Sequence, residues 1–93
     1  MNRIPISTVE AVPPLVRIIL TQAMRRRANG GITPFTFTAH LVRLEKEELN
    51  PKGLQLVSRA LSGDRTRFVI KETASGAVRD ILEFAADGTL EPV

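Results

Sequence analysis

Two alternating runs late in the chain restrict its fold more than any other feature. Thr66-Arg67-Phe68-Val69-Ile70-Lys71 and Val78-Arg79-Asp80-Ile81-Leu82-Glu83-Phe84 are rich in β-branched and aromatic residues, with the turn residues Thr73-Ala74-Ser75-Gly76 between them. Period-two alternation on both sides of a short turn predicts a β-hairpin over 66–85. With Phe68 facing Leu82, the side chains of Phe68, Ile70, Val78, Leu82 and Phe84 share the core face. On the outer face Arg67 then meets Glu83 and Val69 meets Ile81, both favourable pairs. The same register leaves Asp80 on the inner face, so a slip or bulge is expected there. It also sets Lys71 against Arg79 near the tip, where two like charges are awkward without an anion.

The first third is helical. Pro13-Pro14 suits the first turn of a helix, where the missing N–H costs nothing, and Asn29-Gly30-Gly31 is a strong stop. Ser7-Thr8-Val9-Glu10 matches a capping box, but a helix begun there would carry both prolines inside it. The helix is therefore expected from Pro13 or Pro14 to about Ala28, after a lead-in of residues 1–12. Leu15, Val16, Ile18, Ile19, Leu20, Ala23 and Met24 cover a wide apolar arc, and Arg17, Thr21 and Arg25 lie opposite.

Residues 32–49 admit two resolutions. Phe35-Thr36-Phe37-Thr38-Ala39-His40-Leu41 alternates like a strand, whereas Arg43-Leu44-Glu45-Lys46-Glu47-Glu48-Leu49 is made of helix formers. Either a short strand over 32–37 precedes a helix from Thr38 to about 48, or a strand runs through Val42 into a loop. The first is preferred. Asn50-Pro51 then opens a further helix, with Asn as N-cap, Pro at the first position and Gly63 past the end. Ala86-Asp87-Gly88 is another turn at the head of an 86–93 tail, whose last five residues are an edge strand or loose.

These elements give a single α+β domain over residues 1–93, running helix, short strand, helix, helix, β-hairpin, which is the order of a winged helix. No family motif stands behind that order. The alternative is α-β-α-β-β, a three-stranded antiparallel sheet packed on two helices. A chain of 93 residues buries about two-thirds of its unfolded surface, so its strongly apolar segments share one core. With four Phe, no Trp and no Tyr, that core is mostly aliphatic.

The net charge of +3 is concentrated early. Residues 1–31 hold Arg3, Arg17, Arg25, Arg26 and Arg27 against Glu10 alone, while acids slightly outnumber bases in the remainder. Such asymmetry points to an anionic partner. The candidate nucleic-acid-binding residues are Arg25, Arg26 and Arg27 at the helix end, Lys52, Gln55 and Arg59 on the polar face of the third helix, and Lys71 and Arg79 near the hairpin tip. A bland account competes: cations in a last helical turn complement the helix dipole, and polar residues fill any solvated face.

Catalytic chemistry finds little footing. The absence of cysteine removes disulfides, thiolate metal sites and thiol nucleophiles, and fits a reducing cytoplasm. His40 is the only histidine and reads as structural; Glu45, Glu47 and Glu48 fan around a helix as a solvated face. Asn29-Gly30-Gly31 lacks the lysine and preceding strand of a phosphate loop. No enzyme, metal, cofactor or small-molecule substrate is expected, and no stretch is long and apolar enough for a membrane. The expected functions are a nucleic-acid-binding or regulatory module of winged-helix type, or a protein-interaction module, either an adaptor or a homodimer subunit.

Overall fold

The computed structural model describes residues 11–92. Helix α1 (Pro14–Ala28) begins where the prolines predict and stops at the expected glycines. Gly30 takes φ 71°, and the N–H groups of Gly30 and Gly31 donate to the carbonyls of Arg27 and Arg26 at 3.1 and 2.8 Å. These bonds satisfy carbonyls that the helix end would otherwise leave open. The capping-box residues Ser7–Glu10 and most of the lead-in fall outside the described residues.

Helix α2 (Pro34–Leu44) corrects the expectation of a short strand over 32–37 and of an N-cap at Thr38. Thr33 is the N-cap: its Oγ1 accepts the Thr36 N–H at 3.1 Å, and Pro34 follows at the first helical position. The Phe-Thr alternation is therefore wound on a helix, with Phe37 buried and Phe35 83% exposed. The preferred resolution holds over 38–48, which are helical. Glu45–Leu49 widens into a π turn, which lets Leu44 and Leu49, five residues apart, both enter the core. A 3-10 turn, Asn50–Lys52, then ends at Gly53 with φ 75°.

The third helix expected from Asn50-Pro51 to Gly63 does not form; Leu54–Ala60 is strand β1. Gly53 in the left-handed region ends the helical path three residues after Asn50. The Asn50 side chain caps no new helix, and its Nδ2 donates to the Leu54 carbonyl at 2.9 Å. Strands β2 (Thr66–Glu72), β3 (Val78–Phe84) and β4 (Leu90–Glu91) complete an antiparallel sheet in the order β1-β2-β3-β4. The α+β class stands, but the winged-helix-like order is not obtained. Two helices pack on one face of a four-stranded sheet, and β4 is the short edge strand considered for the tail.

The hairpin register agrees with the sequence: Phe68 pairs with Leu82, Arg67 with Glu83 and Val69 with Ile81. The register shifts between Ile70 and Lys71, beside Asp80. Beyond the shift Lys71 pairs with Val78, so two expectations are corrected. Val78 is 55% exposed rather than part of the core, and Lys71 does not face Arg79. Arg79 instead binds Glu72 Oε2 at 3.1 Å, while Ser75 Oγ donates to Glu72 Oε1 at 2.7 Å.

Val16, Leu20, Ala23 and Met24 of α1 meet Phe37, Leu44, Leu49, Leu54, Phe68, Ile70, Leu82 and Phe84 in one core. Phe68 and Phe84 stack edge to face at 5.8 Å, a favourable geometry for the two ring quadrupoles. Among the described residues no helix is long and apolar enough to cross a membrane.

Candidate interaction surface

Strand alternation puts half of each strand on a face that neither described helix covers. Antiparallel sheets with one wet face normally present polar side chains there. Here an apolar rung crosses it: Val57 pairs with Val69 and Val69 with Ile81, and Val57 is 40% exposed. A charged rung lies to one side, in which Arg59 faces Arg67, Arg67 faces Glu83 and Glu83 faces Glu91. Gln55 and Lys71 pair on the other side.

The charged rung contains a like-charge opposition, Arg59 against Arg67, in place of the Lys71–Arg79 pair expected at the hairpin tip. Arg67 is compensated, with Nη2 at 2.6 Å and Nε at 2.7 Å from Glu83 Oε2. Arg65 adds Nη1 contacts to Glu83 at 3.7 Å and Glu91 at 3.8 Å. Arg59 sits at the open end of this rung on the outermost strand.

The edge of β1 is closed over only part of its length. The residues at even positions turn their N–H and C=O groups away from β2. Leu54 O accepts from Asn50, and the Leu56 N–H donates to Glu45 Oε2 at 2.6 Å. Glu45 therefore does more than the solvated-face role read from the sequence, because it caps an edge donor. The next outward residues are Ser58 and Ala60, and both are exposed. Among the described residues none is bonded to their outward groups.

The sequence-predicted basic residues divide among separate places. Arg25, Arg26 and Arg27 end α1, in the helical layer. Arg27 is occupied there: its guanidinium lies 4.4 Å from the Phe37 ring centroid and its Nη2 donates to Thr66 Oγ1 at 3.0 Å. Arg25 supplies backbone contacts to the turn at Gly88. Gln55, Arg59 and Lys71 share the uncovered sheet face, with Gln55 and Arg59 about 13 Å apart along the strand. Arg79 is tied to Glu72 at the hairpin tip, and Lys52 lies in the turn before β1.

Beside the open end of β1, Arg27, Ala60, Leu61, Asp64, Arg65 and Thr66 border a recess of about 390 Å³. His40 lines a smaller one, about 170 Å³, with Ile19, Arg26 and Ile32. Among the described residues no group of three or more acidic or histidine side chains could hold a metal ion.

The features the sequence hid are Glu45, Val57 with its rung, and the Arg59–Arg67 opposition. All three depend on residues 54–60 being extended, and Gly53 was the signal for it. Compared with known protein families, with curated proteins and with solved structures, the chain matches none.

Proposed function

We propose that this chain is a non-enzymatic protein-interaction module working in the cytoplasm, and that it meets its partner through the uncovered side of the sheet. The observation that carries the reading is the apolar rung Val57–Val69–Ile81, which crosses a face where polar residues are the rule. The candidate basic residues support it by their placement. Phosphate contacts would need them on one surface, whereas they are divided between the α1 terminus, the sheet face and the hairpin tip.

A photo-crosslinking residue at position 57 tests the reading in cells, with position 74 at the hairpin tip as control. Discrete adducts at 57 that are absent at 74 are expected. The reading fails if position 57 gives none and the protein binds duplex DNA with the salt response of phosphate contacts, a loss of roughly a thousandfold or more between about 50 and 200 mM salt.

A further inference from the structure

We infer that the open half of the β1 edge, Ser58–Ala60, accepts an extended acidic peptide as an added strand, with Arg59 reading its carboxylates. This rests on the protein-interaction reading above and names the partner's chemistry. Three observations converge on the segment.

The first is the unequal treatment of one strand edge. Asn50 and Glu45 cap the outward groups at Leu54 and Leu56, and the capping ends there. Exposed edge groups are templates for pairing, and natural sheets usually blunt them. Ser58 and Ala60 present two N–H and two C=O groups, enough for a short added strand.

The second is exposure on both faces. Val57, Ser58, Arg59 and Ala60 are all exposed, so an added strand finds room for side chains above and below the sheet. On the helical side that room continues into the recess bordered by Ala60, Leu61 and Arg27.

The third is charge. Arg59 faces Arg67 across the sheet, and the Glu83 carboxylate engages Arg67. An acidic side chain placed against Arg59 from the free edge would complete that rung, whereas a basic one would extend the repulsion.

The same geometry disfavours a second copy of the chain as occupant. An antiparallel pairing of two β1 edges centred on residue 59 sets Arg59 against its own counterpart. Centring on residue 58 calls on the Leu56 N–H that Glu45 already holds. Centring on residue 60 calls on Ser62, which lies in a 3-10 turn.

The test uses the whole chain and a capped six-residue peptide alternating threonine and glutamate, with the threonine–lysine peptide as control. Amide NMR shifts and hydrogen exchange report the site. The acidic peptide is expected to bind about tenfold more tightly than the basic one and to protect the Ser58 and Ala60 amides. Arg59→Glu should invert the preference; it also removes the like-charge opposition, so folding is not put at risk. Ala60→Pro, which deletes an outward N–H on an edge where proline is tolerated, should abolish binding of both peptides. Equal binding of the two peptides, shifts confined to other residues, or an unchanged preference in Arg59→Glu overturns the inference. So does a peptide-free dimer that Ala60→Pro breaks. If these fail while position 57 still crosslinks, only the edge-pairing inference falls; if position 57 is also silent, the interaction reading falls with it.

Discussion

Arg17 Nη2 of α1 lies 3.2 Å from both carboxylate oxygens of Asp80 on β3, joining the start of the helix to the sheet. Asp80 is the acid that the hairpin register left on the inner face, and Arg17 resolves it by reaching across from the rim of α1. The pair is partly wet, with side-chain exposures of 51% and 27%. Arg17→Ala should therefore cost only about 0.5–1 kcal/mol, as exposed ion pairs do. Asp80→Ala should cost more, about 1–2 kcal/mol, because its Oδ1 also accepts the Ile81 N–H at 2.9 Å. Thermal unfolding of both single variants and the double variant checks the ranking and the coupling.

Gly88 is buried against α1 at φ 87°, and a Cβ there would lie 2.8 Å from Arg25 Cα. Backbone cannot yield as a side-chain tip can. Gly88→Ala should destabilise by roughly 2–4 kcal/mol, combining backbone strain and overpacking. Gly76, at φ 76° with nothing within 4 Å of its would-be Cβ, provides the control. Gly76→Ala should cost about 1 kcal/mol, its strain alone. Urea denaturation of the two variants separates the effects.

Glu45→Ala should uncap the Leu56 N–H. The expected loss is about 1–2 kcal/mol, the cost of an unsatisfied, partly buried donor. Glu45→Gln keeps an acceptor oxygen and should recover most of it. Hydrogen exchange at Leu56 should accelerate in the alanine variant, and sedimentation should reveal new concentration-dependent association through the lengthened free edge.

Asp87 should titrate below the ordinary carboxylate range. Its side-chain hydrogen bond with Thr89 contributes most, followed by the Thr89 backbone N–H, which donates to Oδ1 at 2.9 Å, with Arg25 adding a smaller attraction. A depressed folded-state value means that the interaction favours folding above the unfolded value and fades as pH falls through the folded one. Side-chain carboxyl NMR shifts followed through an acid titration measure the midpoint. Thr89→Val should move it up, because the hydroxyl goes while the backbone donor stays.

Helix α1 and the 66–84 hairpin were legible because their signals are local and agree with one another. At α1 the prolines, the apolar arc and the glycine stop all point one way. In the hairpin, alternation fixes the faces, and the Asp80 conflict even marks where the register shifts. The middle of the chain misleads through one dipeptide pattern met twice. Thr33-Pro34 and Asn50-Pro51 each pair a capping residue with a proline; the first opens a helix, and the second belongs to the turn that ends one. Gly53 makes the difference, since its left-handed φ stops the helical path before another turn can form. The segment Leu54–Leu61 also suits either period: its apolar residues span a helical arc, while Leu54 and Leu56 alternate as a strand. Tertiary pairing with β2 decides it. The Arg59–Arg67 opposition could not be seen from the sequence once Arg59 was wound onto a helix.

Because α1 docks against the far end of the chain, its settling must wait during synthesis. Arg17 and Asp80 are 63 residues apart. At typical translation speeds the helix emerges roughly 3 to 13 s before its partner on β3 exists. Early in that interval Val16, Leu20, Ala23 and Met24 have only Phe37, Leu44 and Leu49 to pack against; Leu54, Phe68 and Ile70 follow, and Leu82 and Phe84 close the core last. Pulse proteolysis of stalled chains should find α1 cleavable until β3 has emerged and protected afterwards.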